Sequence, residues 1–285
     1  MATTNSTRGG YVLVMTLGLL ALAAIASVGL ARHSLRLVAA AQQADDDLQH
    51  RWGTFSIRYV LLDRAAAILA AQVPPDQADL PPWPKPARVT VSFALGDQTF
   101  AVTLADEDAK ADLNTIYARD KSNTLAAIRR LTRDAATSAV QVRLVPENNS
   151  RAAFRSWGQV FDLAAMPAEN NTAAVVAAAS RDLTCWGTGK MNLRTAGDAA
   201  LRVVASLALP TNKAAELVEL RKQWGGHRVN ELLDELELRR PQYLAIGRLL
   251  ATESRSYSLS LTVENGHRRW AYLFVDNGNP HTFAW

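Results

Sequence analysis

The 285-residue chain has one cysteine, Cys185. A single thiol excludes an intramolecular disulfide and any multi-cysteine metal site, and it leaves both redox compartments open. Histidine is sparse. His33, His50, His227, His267 and His281 show no H-E-x-x-H or related spacing, and neither a G-x-S-x-G elbow nor a phosphate-cradling glycine loop occurs. A Cys185–His227 nucleophile pair is the arrangement left to consider. A lone cysteine beside Trp186 reads more simply as a small packed hydrophobe, so no catalysis is expected. An excess of charge of either sign is also lacking. The 31 Lys and Arg against 27 Asp and Glu leave +4, too little by itself to imply nucleic acid. Asn148 and Asn170 begin glycosylation-type sequons, which occur often by chance.

What the chain does have is a membrane-length apolar run. Tyr11 to Ala31 contains 21 residues and no charge, about 31 Å as a helix and enough to cross a bilayer core. A buried core helix or a cleaved secretory signal would be the alternatives. A signal peptide's apolar region is shorter and ends at small residues, and "LARHSLRL" offers no clear site of that kind. Arg8 precedes the run while Arg32 and Arg36 follow it, so flanking charge does not fix orientation. A ten-residue leader has no room for a domain, so it is expected in the cytoplasm and the remaining chain outside. Ala23, Ser27 and Ala31, four apart, would permit close helix approach.

Helical periodicity continues past the apolar run. Leu48, Trp52, Phe55, Tyr59, Leu62, Ala66 and Leu69 step by four and three, predicting one apolar face laid against a sheet. The helix is expected to continue to about Gln72. Six of eleven prolines then cluster between Pro74 and Pro86, a helix stop followed by an extended linker.

A short basic leader ending in Arg8-Gly9-Gly10, then Tyr11, then a helix apolar all round and later apolar on one side, resembles type IV pilins and pseudopilins. "RGGYVLVMTLGLL" is similar to their leader–helix junction. The resemblance implies cleavage by a prepilin peptidase after Gly10 and N-methylation of Tyr11, with cleavage after Gly9 as the alternative. Most pilins carry Glu at mature position five. Here that position is Met15, or Val14 under the alternative, and the span holds no acid. Within the superfamily that absence marks a subunit at one end of a filament, the K-type minor pseudopilin of type II secretion.

The remaining chain is predicted to form two hairpins around a helical stretch. Val89, Val91 and Phe93 alternate, as do Phe100, Val102 and Leu104, about a turn at Gly96-Asp97. Tyr257, Leu259, Leu261 and Val263, then Trp270, Tyr272 and Phe274, alternate about Asn265-Gly266. Between them, roughly Glu107 to Glu253, helices are expected in "NTLAAIRRLTRDAA", "SRAAFRSWGQVFDLAAM", "GDAALRVVASLALPTNKAAELVELRKQW" and "RVNELLDELELRR". Helices interrupting strands suggest an insertion into a sheet domain, which is the layout of K-type pseudopilins. "DEDAKADLNTI" at Asp106–Ile116 resembles the turn that opens that family's α-domain, without its usual Gly and its first Asn. "WGTGKMNLRTAGDAALRVV" at Trp186–Val204 resembles a second family motif through Gly189, Lys190, Asn192, Leu193, Thr195 and Ala196, with Arg194 replacing an Asn. These residues read as structural. Thr195 or Asp198 is expected to cap the following helix, and Asn192 to bond backbone in a turn.

Two ligand classes remain. Asp106, Glu107, Asp108 and Asp112 supply oxygens of the kind calcium takes, and the family's α-domain is associated with calcium. Their spacing is not that of an EF-hand, and a solvated acidic turn is the alternative. The segment from Asp198 to Trp224 loosely resembles helix-hairpin-helix DNA-binding modules. Leu209-Pro210-Thr211-Asn212 lacks their glycines, and Glu216, Glu219, Glu231, Asp234, Glu235 and Glu237 would repel DNA.

The expected architecture is α+β: a long N-terminal transmembrane and amphipathic helix packed on an antiparallel pilin-like sheet, interrupted by a large inserted α-helical domain. The expected divisions are a leader at 1–10, a transmembrane helix at 11–31, its amphipathic continuation at 32–73, a linker and first hairpin at 74–105, the α-domain at 106–253, and a C-terminal hairpin and tail at 254–285. The resemblance implies a minor pseudopilin that caps and starts a periplasmic filament for protein export. Its implied partners are I-type and J-type minor pseudopilins, the major pseudopilin, the inner-membrane assembly platform and the prepilin peptidase. It would cross the bacterial inner membrane once, with its C-terminal domain in the periplasm, and would require no cofactor beyond a possible calcium ion. A minor pilin of a type IV pilus or competence system, or a membrane-anchored DNA receptor, is the alternative.

Overall fold

The computed structural model describes residues 7–78, 81–96, 98–132, 154–162, 172–265, 268–278 and 281–284. The chain divides into two compact units, residues 1–55 and 56–285.

Helix α1 runs from Thr7 to Leu62. Its stretch from residue 11 to 41 is exposed on every side, and it is long and apolar enough to cross a membrane. Two hydroxyls in that stretch bond within the helix. Thr16 Oγ1 donates to the carbonyl of Leu13 at 2.9 Å and Ser27 Oγ to that of Ala23 at 2.8 Å, which leaves neither hydroxyl dependent on water. The helix does not run unbroken to Gln72. Arg64 leaves helical geometry at φ −109° and ψ 14°, and a separate helix α2 follows over Ala65–Ala70.

The second unit is built on an antiparallel sheet with inserted helices. In chain order its strands are β1 (Arg88–Leu95), β2 (Gln98–Asp106), the short β3 (Ala111–Asp112), β4 (Leu183–Thr184), β5 (Met191–Asn192) and β6 (Leu250–Ala251), then β7 (Tyr257–Asn265), β8 (Arg268–Asp276) and β9 (His281–Ala284). Five of them form one sheet in the order β1-β2-β7-β8-β9. Asp97 and Gly266, in the two expected hairpin turns, lie outside the described residues. β2 and β7 pair directly, from Thr99 opposite Glu264 to Asp106 opposite Tyr257. The chain therefore leaves the sheet at Asp106 and re-enters it at Tyr257, the residue directly opposite on the neighbouring strand. Everything between is an insertion that leaves the sheet continuous, as the sequence implied for an α+β chain.

One sheet face is apolar because alternate residues point the same way. Phe100, Val102 and Leu104 from β2, Leu259, Leu261 and Val263 from β7 and Phe274 from β8 pack with Ile57, Leu62, Ala65 and Leu69. This is not the helix face that the periodicity predicted. Of the predicted stripe only Leu62 and Leu69 are buried, while Leu48, Trp52 (63% exposed), Phe55, Tyr59 (66%) and Ala66 face outward. Two apolar residues in that stretch, Ile57 and Ala65, lie off the predicted stripe, and the sheet took them instead. The helical break at Asp63-Arg64 resets the phase between the two pieces.

The insertion contains α3 (Leu113–Arg119), α4 (Lys121–Leu131), α5 (Trp157–Val160), α6 (Thr172–Asp182), α7 (Asp198–Ala205), α8 (Thr211–Arg221), α9 (Val229–Asp234) and α10 (Arg240–Gly247). These helices are short, and a shared core of Leu113, Ile116, Phe154, Leu183, Leu193, Leu201, Leu217, Leu233 and Ile246 holds them rather than propensity alone. "SRAAFRSWGQVFDLAAM" yields only the four-residue α5 among its described residues. "RVNELLDELELRR" stops early at Asp234, and Glu237 takes a positive φ of 50°, which a helix cannot continue through.

Candidate functional site

The positions expected to be processed lie at the start of α1. Gly9, Gly10, Tyr11 and Met15 are all helical, and the side chains of Tyr11 and Met15 are exposed. Ala23, Ser27 and Ala31 are also on exposed surface.

A second candidate region is the junction where the insertion leaves the sheet. It brings the two motif segments together, with the insertion's last residues between them. Asp106 closes β2, and its Oδ1 accepts the backbone N–H groups of Asp108 (2.9 Å) and Ala109 (3.2 Å). Its Oδ2 accepts the hydroxyls of Thr195 and Ser254, each at 2.6 Å. Asp108 faces the other way. Its Oδ1 accepts the backbone N–H of Thr188 (2.8 Å) and the Thr188 hydroxyl (2.9 Å), and its Oδ2 accepts the backbone N–H groups of Arg255 (2.8 Å) and Ser256 (3.1 Å). Glu107 accepts from Lys110 Nζ at 2.5 Å and from the hydroxyls of Thr184 and Ser258. Asn192 completes the lattice. Its N–H donates to the carbonyl of Asp108 at 2.8 Å and its Nδ2 to Ser254 Oγ at 2.7 Å, while its Oδ1 accepts the N–H of Arg194 at 3.0 Å. The turn expected of Asn192 is thus formed.

Asp112 has a local task. It is the N-cap of α3, accepting the N–H groups of Asn114 and Thr115 and the Thr115 hydroxyl, which removes unsatisfied donors at a helix start. Asn114 then bonds the carbonyls of Phe154 and Cys185 and the N–H of Phe154.

The acidic run is therefore neither a solvated turn nor a fit for calcium. Asp106, Glu107, Asp108 and Asp112 are buried, and every one of their carboxylate oxygens accepts a hydrogen bond from the chain. A calcium ion needs about six to eight oxygens turned toward it. Among the described residues no group of three or more His, Cys, Asp or Glu is arranged to hold a metal.

Burial sets the electrostatics of the junction. It pushes Asp106 up to about 6, against the hydrogen bonds of Ser254 and Thr195, and pushes Asp112 up to about 6 against those of Thr115 and Asn114. Tyr257 rises to about 12 through burial and then through Asp106 and Asp108. Cys185 is buried, and its thiol is pushed well above its ordinary value by burial first and by Asp112 and Glu107 second. A thiol held neutral in this way is a poor nucleophile and packs as the sequence suggested.

The expected caps of α7 are not made. The cap position is Gly197, without a side-chain hydrogen bond, because Thr195 is committed to Asp106 and Asp198 to Arg221. Arg221 is fully buried. It reaches the carbonyls of Leu193 (3.3 Å) and Ala196 and the carboxylate of Asp198, pinning the second motif onto α8. Burial lowers its pKa, with Asp198 opposing.

The proline-rich linker is also anchored. Trp83 is buried in the insertion's core and donates from Nε1 to the carbonyl of Trp224 at 2.9 Å, with the two rings 5.7 Å apart. The N–H of Lys85 donates to the carbonyl of Arg194 at 2.7 Å. Sequence reading missed Trp83, Thr184, Arg221, Ser254, Ser256 and Ser258. Isolated hydroxyls carry no spacing signal. A tryptophan inside a proline cluster was a usable one, since so large an apolar ring is seldom left in water.

The fold so defined is a long apolar N-terminal helix with a helix-covered antiparallel sheet and a helical domain inserted between adjacent strands. No family model and no curated protein matches the chain. Among solved structures it is similar to a chain of the GspK-GspI-GspJ complex from the enterotoxigenic Escherichia coli Type 2 Secretion System, at 14% identity over 86% of this chain and 98% of that one, with a TM-score of 0.47. A likeness of that size does not define a function.

Proposed function

We propose that the chain is a minor pseudopilin of a type II secretion system, of the K type, which caps and initiates a periplasmic filament for protein export. The insertion of some 150 residues between hydrogen-bonded neighbours β2 and β7 carries this reading. It gives a helix-and-sheet unit a broad helical head, and such a head would block another subunit from stacking above.

In this reading α1 anchors the chain once in the bacterial inner membrane, with the domain after it in the periplasm. A prepilin peptidase cuts after Gly10, and the new amine at Tyr11 is methylated. Met15 supplies no carboxylate to a neighbour's amine, yet the chain's own amine can meet a neighbour's acid. The subunit then starts a filament with I-type and J-type partners through close helix contact at Ala23, Ser27 and Ala31. The assembly platform pushes it outward as the major pseudopilin adds below. The chain acts as a scaffold, without catalysis and without a required cofactor.

Mass spectrometry of the mature N-terminus tests the processing step. A methylated start at Tyr11 supports it, and a cut beyond Ala31 would overturn the reading. Copurification of the detergent-solubilised chain with coexpressed I-type and J-type pseudopilins tests the cap. Finding the chain repeated along the shaft of an isolated filament would exclude it.

A further inference from the structure

The sheet has two edges of different kinds. β9 ends one side with only His281–Ala284. β1 ends the other with eight residues, and among the described residues its only neighbouring strand is β2. Exposed edges of that length are usually blunted by lysine, proline, a bulge or a covering segment. Among the described residues β1 has none of these. Its register with β2 is unbroken from Arg88 opposite Ala105 to Leu95 opposite Gln98, and after Arg88 it carries no charge and no proline.

The backbone pattern shows what the edge offers. The N–H of Asp106 donates to the carbonyl of Ala87 at 2.8 Å. In an antiparallel ladder every second residue bonds the neighbour, so residues 89, 91 and 93 turn toward β2. The N–H and C=O groups of Arg88, Thr90, Ser92 and Ala94 turn outward. The side chains add a second feature. Val91 pairs with Val102 and Phe93 with Phe100, so they lie on the sheet's apolar face, and the Phe93 and Phe100 rings stack at 5.6 Å. Val102 and Phe100 are covered. Val91, Phe93 and Leu95 remain 47%, 38% and 46% exposed, so the apolar face continues past its cover onto the open edge.

We propose that β1 is a docking edge for one extended strand of a partner protein, added antiparallel. The strand carries uncharged, alternately apolar residues over Val91 and Phe93, and one acidic group near its C-terminal end opposite Arg88. The outward N–H and C=O row selects a strand over a helix. Val91 and Phe93 select its apolar side. Arg88, exposed at the start of β1, selects the acid and its position. A second copy of this chain fits worse. Antiparallel pairing of two β1 strands sets Arg88 against Leu95, and β1 has no acidic residue to offer.

The test uses the full-length chain in detergent and a synthetic peptide of alternating valine and threonine ending in aspartate. Binding is read by fluorescence anisotropy and by amide hydrogen exchange. The peptide should protect the amides of Thr90, Ser92 and Ala94. Ser92→Pro removes an outward donor and leaves the β2 ladder intact. It should weaken binding by about tenfold or more, the loss of one or two hydrogen bonds. Val91→Asp, which sets a charge on the apolar shelf, should weaken it as well, so the proposal does not rest on one variant folding. Equal affinity in both variants, or no protection at the three outward amides, would overturn it. Equal affinity for a peptide with aspartate at the other end would overturn the orientation. Concentration-dependent protection without peptide would replace the partner with a second copy. None of these outcomes depends on where the leader is cut or whether a filament forms.

Discussion

Thr195 and Asp106 lie 89 positions apart in the chain, and the hydroxyl of one rests 2.6 Å from the carboxylate of the other. This bond closes the second motif segment onto the last residue of β2. Ser254, on the returning segment, meets the same oxygen. Outgoing strand, motif and incoming strand are therefore tied at one carboxylate, which fixes how the helical insertion leaves the sheet.

That tie should give the fold a defined pH response. Asp106 and Asp112 sit at about 6 in the folded chain against an ordinary 3.8. A carboxyl whose pKa is raised by folding holds its proton more tightly when folded. Its contribution is complete below about 3.8 and is lost as pH rises through about 6. The contribution of these two groups to Tm should therefore rise as pH is lowered from about 7 to about 5. Thermal scans of Asp106→Asn and Asp112→Asn should each show a flatter slope over that window than the unmodified chain.

Arg221→Met should destabilise the insertion by roughly 2–3 kcal/mol, the scale of losing charge-assisted hydrogen bonds. It strands the carbonyls of Leu193 and Ala196 in the interior and leaves Asp198 without its partner. The half-exposed side chain of Asp198 can turn to water, which keeps the loss below that of a fully buried pair. Denaturant titration of the detergent-solubilised chain measures it.

Exposure along α1 predicts unequal substitution costs. Ile57→Ala empties a place in the core between helix and sheet and should cost about 2–4 kcal/mol. Trp52→Ser and Tyr59→Ser remove exposed rings and should stay within about 0.5 kcal/mol. Paired urea curves on the isolated chain separate the two faces.

Trp83→Ala should free the proline-rich linker. It removes a buried ring and the hydrogen bond to Trp224, a change on the order of 3–5 kcal/mol for a core tryptophan. Limited proteolysis should then cut between residues 74 and 87 at protease concentrations that leave the unmodified chain intact. An unchanged digestion pattern would show that the linker is held by other contacts.

The hairpins were legible because alternation in Phe100, Val102 and Leu104 and in Leu259 and Leu261 is a period of two that few other structures produce. The membrane-length helix was legible because 21 residues without a charge admit few alternatives. The acidic run was misread for a physical reason. A carboxylate in sequence looks the same whether it meets water, calcium or eight backbone and hydroxyl donors, and those donors come from residues 184 to 258. The helix stripe failed similarly. Trp52, Phe55 and Tyr59 have ideal spacing, but spacing does not say which apolar face a sheet selects when Ile57 and Ala65 are also available.

By itself the sequence determined the elements whose cause is local: the membrane-length apolar helix, the two strand pairs, the proline stop and the presence of a helical interruption. Tertiary structure decided that β2 and β7 close directly over that interruption. It also turned Asp106, Asp108 and Thr195 from candidate ligands and caps into a clasp, and among the described residues left β1 open along its edge. Backbone periodicity is written within a few neighbouring residues, whereas hydrogen-bond partners and strand order depend on segments brought together across more than a hundred.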